Sequence, residues 1–214
     1  MPNTQLWLIR HGETAWNAER RFQGHTDIPL NPNGAQQAKK LAERLIHQHS
    51  QQAFAAIYSS DLSRARHTAE PTSLAIKLPM RLDARLRERH YGVLSTLTPE
   101  EMAVEHPETF RRWQRRDPAY VLPRGESLNQ FNQRVMNALS TIAREHAGRS
   151  VIVMAHGGVL DCAYRAAHGM ALSEPRKYTL HNASINRMRF AANQFHIERW
   201  GDITHLDAEA FDEQ

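Results

Sequence analysis

The chain has 214 residues, 41% hydrophobic and 23% charged, close to globular averages; that excludes a disordered chain and fits one α/β domain spanning 1–214. Lysine and arginine number 27 against 23 acidic side chains, a net charge of +4 that is too balanced to mark a nucleic-acid partner and compatible with an anionic small molecule. Cys162 is the only cysteine, which excludes an internal disulfide, and the sequence holds neither an apolar run of membrane-spanning length nor a leader pattern, so a cytoplasmic protein without a membrane partner is expected.

The first predicted element is Leu6-Trp7-Leu8-Ile9-Arg10, an apolar run that stops at His11-Gly12 and is followed by a turn-like stretch through Asn17. Such a run reads as a strand buried on both faces. Asn31-Pro32 supplies an N-cap and a first-turn proline for a helix to about His49, with Ala35, Ala38, Leu41, Ala42, Leu45 and Ile46 as its buried stripe. Phe54 to Ser59 predicts the second strand, and Asp61 is the expected N-cap of a helix that carries Arg64 in its first turn. Met80-Arg81-Leu82 reads as a short strand, and Thr98-Pro99-Glu100-Glu101 as a capping box opening a helix. A long helix is expected from Ser127 to about His146. Val151 to Ala155 is a second apolar run stopped by His156-Gly157, with a helix following from about Gly158. Ile185 to Phe190 and Gln194 to Trp200 close the pattern as strands. The alternation predicts an α/β fold, and parallel strands would deliver His11 and His156 to one sheet edge, where ligands of open α/β sheets bind.

Arg10-His11-Gly12-Glu13 resembles the signature of the histidine phosphatase superfamily, the phosphoglycerate mutase-like enzymes. A given tripeptide recurs by chance in about one chain in forty of this length, so the ordered set behind it carries the resemblance. That set is Asn17, Gln23-Gly24, Thr26-Asp27, Ser59-Ser60-Asp61-Leu62, Arg64-Ala65-Arg66 with Thr68-Ala69, Leu86-Arg87-Glu88, Tyr91-Gly92, Gly125-Glu126-Ser127 and His156-Gly157-Gly158. It runs over nearly the whole chain. The resemblance implies a three-layer α/β/α sandwich with a mostly parallel central sheet, and a lid subregion at about 89–125.

It also implies a phosphoryl-transfer site, and the residue types suit that chemistry. A transferring phosphoryl group spreads negative charge over three oxygens, which the guanidinium forks of Arg10 and Arg64 match. His11 is the expected nucleophile, neutral beside those arginines and giving a phosphohistidine. His156 would hydrogen-bond the transferring oxygens, and Glu88 would protonate the leaving group and later deprotonate water. Asn17, Gln23 and Gly24 are expected as secondary phosphate contacts. Tyr91, Gly157 and the lid residues Arg111 and Arg112 are expected to bind substrate. For Arg115 and Arg116 a lid ligand and a solvated helix face both remain open. Ordinary roles compete elsewhere: Glu88 could pair with Arg85, Arg87 or Arg89 at the surface, and Cys162 suits a small buried residue.

Metal hydrolysis lacks a motif, no cofactor is expected, and neither a P-loop nor Gly-x-Gly-x-x-Gly is present. The expected activity is a phosphomonoesterase acting on a small phosphorylated metabolite, with an oligomer possible. Cofactor-dependent phosphoglycerate mutase is the alternative, suggested by Glu88-Arg89-His90-Tyr91-Gly92 and the Trp113-Arg115-Arg116 context; a non-catalytic phosphate-binding module is the second. The short stretch from Arg116 to Gly125 and the acidic tail Asp202, Asp207, Glu209, Asp212 and Glu213 argue for the phosphatase.

Overall fold

The computed structural model describes residues 3–206. Strand β1 (Thr4–Arg10) is buried from Leu6 to Arg10, with Leu6 and Leu8 in one core and Trp7 and Ile9 in another. β2 (Phe54–Ser59) and β4 (Ser150–Ala155) divide their side chains between the same two cores. Cover on both faces is why these runs are apolar throughout instead of alternating with polar residues.

With β3 (Met80–Leu82), β5 (Ile185–Ala191) and β6 (Gln194–Asp202), the sheet has the order β3-β2-β4-β1-β5-β6. The pairings from β3 to β1 are parallel; β5 runs antiparallel to β1 and forms an antiparallel pair with β6. Helices α2 (Pro32–Gln51) and α3 (Ser63–Ile76) cover one face, and α6 (Leu128–Glu145) and α7 (Gly157–His168) the other. The three-layer α/β/α sandwich is the one expected. Its decisive feature is local: the chain leaves β1 toward the first face and leaves the neighbouring β4 toward the second. A crevice therefore opens between their carboxyl ends.

Helix starts follow the sequence closely. Asn31 caps α2 through the Gly34 amide at 2.7 Å, and capping boxes open α4 (Pro99–Glu105) and α6. Three expectations are corrected. Asp61 does not cap α3: Leu62 takes that position without a side-chain cap, because the Arg87 fork holds the Asp61 carboxylate at 2.7 and 2.5 Å. Ala35 and Ile46 are exposed on α2, whose buried stripe instead includes Gly34 and Gln37, since the helix start packs on the backbone after β1. The turn-like stretch through Asn17 contains a one-turn helix, α1 (Ala15–Ala18), opened by a reciprocal Thr14–Asn17 cap.

Between β3 and α6 lies a region with its own small core. Leu94, Met102 and Leu122 are buried there, flanked by Phe22, Tyr91, Phe110, Trp113 and Tyr120. Phe110 and Trp113 sit on α5 (Pro107–Gln114). Cys162 is buried on α7, and burial pushes its thiol pKa well up, so it packs as a small inert residue. No helix among the described residues is long and apolar enough to cross a membrane. Of the acidic tail, Asp202 ends β6 and pairs with Arg199 at 3.0 Å; Asp207, Glu209, Asp212 and Glu213 lie outside the described residues.

The start of α2 is held against β1 by backbone proximity. A Cβ on Gly34 would collide with the Glu13 carbonyl oxygen, while Asn31 and Asn33 hold the Glu13 carboxylate at 2.6 and 2.9 Å. Gly34→Ala is expected to cost about 1–3 kcal/mol by overpacking. A wild-type midpoint in urea denaturation would contradict that close packing.

Candidate active site

Arg10 lies opposite Ala155 in the parallel ladder, and the His11 amide continues it to the Ala155 carbonyl at 2.9 Å. His11 and His156 are therefore delivered side by side from adjacent strands. Their rings are buried, with centroids 5.1 Å apart and planes at 60°.

The two imidazoles are polarised in opposite senses. His11 Nδ1 lies 2.7 Å from the Gly12 carbonyl, which can only accept, so Nδ1 carries the proton and Nε2 keeps its lone pair. At His156, Arg64 Nε donates to Nδ1 at 3.3 Å, which puts the proton of the neutral ring on Nε2. That buried N–H has no partner among the described residues. One ring offers a nucleophilic lone pair and its neighbour a hydrogen-bond donor.

Two buried guanidinium groups flank them. Arg10 donates from Nη1 to the Leu180 carbonyl, and Arg64 donates to the carbonyls of Thr26 and Gly24 at 2.9 and 2.8 Å. These carbonyl oxygens help to fix the direction of each guanidinium fork. Thr68 links the two halves: its hydroxyl accepts from the Gly12 amide at 2.9 Å and donates to the Arg64 carbonyl at 2.7 Å.

Glu88 is buried at the start of α7. Its Oε1 accepts from the Arg89 amide at 2.7 Å and its Oε2 from the Gly158 amide at 3.0 Å. Arg85 pairs instead with Asp83 and Arg87 with Asp61, so the surface ion-pair reading of this segment belongs to its neighbours. Gly158 permits the approach, because a Cβ there would collide with Glu88 Oε1 and stand 2.9 Å from the Phe131 ring.

The family model for the histidine phosphatase superfamily (branch 1) matches residues 6–203, a span that contains every one of these groups. The chain belongs to the histidine phosphatase superfamily. Phosphoglycerate mutase-like protein 4 of Arabidopsis thaliana is 37% identical over 210 residues, covering 97% of this chain and 89% of the relative. Among solved structures, YhfR of Bacillus stearothermophilus is similar with a TM-score of 0.84 and 34% identity, over 95% of this chain and 100% of the other. A phosphoserine phosphatase variant from Entamoeba histolytica, in complex with phosphoserine, has a TM-score of 0.83 and 26% identity, over 95% of this chain and 100% of its own.

The remaining predicted residues of this member of the superfamily divide. Gly24 has a left-handed φ of +51°, and its carbonyl orients Arg64. Gln23 is buried with no partner for Oε1 among the described residues, and Asn17 Oδ1 accepts from the Thr14 amide in the α1 cap. Gly157 and Tyr91 line a cavity of about 540 Å³ that opens beside His156, at Gly158 and Leu180. Arg111 and Arg112 are not brought to it: Arg111 pairs with Glu108 at 2.9 Å, and Arg112 lies over the Tyr120 ring. Both project outward because the inner side of α5 is taken by Phe110 and Trp113. Arg115 is exposed, whereas Arg116 lines the cavity together with Arg89.

Several site-building residues carried no sequence signal as such. Asn182 donates to the His11 carbonyl at 2.9 Å from an irregular segment before β5. Arg134, on α6, donates to the carbonyls of Arg85, Arg87 and Glu88 at 2.9, 3.0 and 3.3 Å and pairs with Glu126 at 2.5 Å. His25 Nε2 donates to the same Glu88 carbonyl at 2.8 Å. Of these, Glu126 in Gly125-Glu126-Ser127 and His25 within Gln23-Gly24-His25-Thr26-Asp27 lay in motifs that could have pointed to this support.

Burial holds the His11 pKa well below the ordinary value of 6.5, and the charges of Arg64 and Arg10 add to it against the opposing Gly12 hydrogen bond. His156 is lowered likewise, by burial first and then by Arg64, His11, Arg10 and His25. In the unfolded chain both rings would take up protons near 6.5, so below that pH the unfolded state binds more protons. Stability contributed by the neutral rings is expected to fall as pH drops from about 6.5 toward their folded values. Nitrogen-edited imidazole spectra should keep both rings neutral as the folded chain passes through that pH; protonation there would contradict the electrostatics.

Gly158→Ala is expected to retain the fold but displace Glu88, lowering turnover by about 10²-fold, the smaller end of what proton transfer contributes. Circular dichroism paired with steady-state rates checks it. Unchanged turnover would mean that the carboxylate position does not matter.

Proposed function

We propose that this chain is a phosphomonoesterase that hydrolyses a small phosphorylated metabolite through a phosphohistidine on His11. The observation that carries the reading is the opposed polarity of the two buried imidazoles between Arg10 and Arg64. In the first step, His11 Nε2 attacks phosphorus in line while the ester P–O bond breaks, and Glu88 gives a proton to the leaving oxygen. The two guanidinium groups and the His156 Nε2–H receive the charge on the equatorial oxygens. In the second step, Glu88 takes a proton from water as the water oxygen attacks phosphorus and the bond from phosphorus to His11 Nε2 breaks. Inorganic phosphate leaves and His11 regains its lone pair.

A phosphate binder would use the arginines but would gain nothing from a buried, proton-transferring carboxylate beside a neutral nucleophile. The mutase reading retains support in the mutase-like name of the Arabidopsis relative. A mutase must keep its intermediate from water until the product rebinds and accepts the phosphoryl group. The short connection from Arg116 to Gly125 and a cavity of about 540 Å³ beside the site favour water instead.

Rapid quench under alkaline conditions should recover acid-labile phosphate on His11, and His11→Ala should fold yet show no turnover. Inorganic phosphate should form faster than 2- and 3-phosphoglycerate interconvert, even with 2,3-bisphosphoglycerate supplied. Full activity in His11→Ala would end the mechanism. Isomerisation outrunning phosphate release would replace the phosphatase with the mutase.

A further inference from the structure

One turn, Gln23 to Asp27, joins Arg64 to the segment that carries Glu88. The Thr26 amide closes it on the Gln23 carbonyl at 2.9 Å, and the Asp27 carboxylate accepts from the Ser63 amide at the start of α3 at 2.7 Å. The carbonyls of Gly24 and Thr26, one on each side of His25, hold the Arg64 fork at 2.8 and 2.9 Å. The turn is thereby fixed to the helix that supplies one of the two buried guanidinium groups.

The side chain between those two carbonyls reaches the other half of the site. His25 Nε2 lies 2.8 Å from the Glu88 carbonyl, an oxygen that can only accept, so Nε2 carries the proton. Gly24 lets the turn press on the same segment, because a Cβ there would stand 3.2 Å from the Arg89 carbonyl oxygen. The His25 ring also packs on His90, with centroids 4.6 Å apart. Burial, and after it the neighbouring His90, hold the His25 pKa below the ordinary 6.5 against the pull of its hydrogen bond to Glu88. At neutral pH the ring is therefore uncharged and acts on Glu88 by position instead of by charge.

The other contacts of Glu88 described above refer it to different elements. Arg134 reaches its carbonyl from α6 at 3.3 Å, and the Gly158 amide holds its carboxylate from α7 at 3.0 Å. His25 refers it to Arg64. A general acid works only within hydrogen-bond reach of the leaving oxygen, and the arginines that hold the phosphoryl group set where that oxygen lies.

We propose that His25 is a positioning residue for proton transfer, a brace that sets the distance from Glu88 to the phosphoryl group held by Arg64. This deepens the phosphomonoesterase reading, and the first of two measurements is independent of turnover. The Gly158 amide donates to the Glu88 carboxylate, so in His25→Ala it should exchange with solvent about fivefold faster or more, the scale of one lost hydrogen bond. The Leu160 amide, on the His156 carbonyl, should keep its wild-type rate. His25→Gln, whose side-chain amide reaches as far as Nε2, should restore the Gly158 rate; His25→Asn, one methylene shorter, should not.

The second measurement is kcat/KM, which reports the step in which the ester bond breaks. His25→Ala and His25→Asn should slow an alkyl phosphate about fivefold or more and an aryl phosphate less than about twofold, because the aryl leaving group needs less help from a proton donor. Inorganic phosphate should bind all three variants within about twofold of wild type, since Arg64 keeps its two carbonyls. An unchanged Gly158 amide, equal slowing of the two esters, a matching loss of phosphate affinity, or no recovery in His25→Gln overturns the brace. No phosphate release from either ester by the wild-type chain, with the exchange pattern as expected, would uphold the link from His25 to Glu88 and overturn the phosphomonoesterase reading alone.

Discussion

The parallel pairing of β1 with β4 is the constraint on which the rest of the site depends. With Arg10 opposite Ala155, the first residue beyond each strand is a histidine, and the two emerge at the same height. A slip of one residue would turn one imidazole to the opposite face of the sheet, because side chains alternate along a strand. The register is enforced by burial. Leu6, Leu8, Val151 and Val153 must enter one core while Trp7, Ile9, Ile152 and Met154 enter the other.

From that register the electrostatics follow. Burying two imidazoles next to two guanidinium groups makes protonation of either ring unfavourable, so the site holds its positive charge on the arginines and its proton-accepting capacity on His11. The arginines are held by the carbonyls of Gly24, Thr26 and Leu180. Carbonyl dipoles help to point each guanidinium, and an anion meets donors that are already oriented. Glu88 completes the arrangement from a separate segment, which Arg134 and His25 fix by its backbone and the Gly158 amide by its carboxylate.

The neighbouring cavity follows a different logic. Its walls come from the loop after α1, from α5, α6 and α7, and from the segment before β5, elements that meet only in the folded chain. α5 turns Phe110 and Trp113 inward, so Arg111 and Arg112 face solvent and Arg116, beyond the helix end, reaches the cavity. Which arginine of the α5 stretch reaches the cavity is set by helix phase and by where the helix stops.

The strands, the principal helices and the identities of His11, His156, Arg10, Arg64 and Glu88 were legible in the sequence. Burial periodicity and capping are local properties, and the motif residues stand in recognisable order. Where a local signal met a longer-range competitor, the sequence misled: Asp61 had the chemistry of a cap, but a bidentate arginine gives a carboxylate more than one backbone amide does. The chain by itself determined which side chains are delivered to the sheet edge. Only the tertiary structure decided which nitrogen of each imidazole carries its proton, which arginines face the cavity, and what holds Glu88 in place. Those properties depend on a carbonyl, a guanidinium or an amide brought close by folding, and nothing in the local pattern of residues encodes such a neighbour.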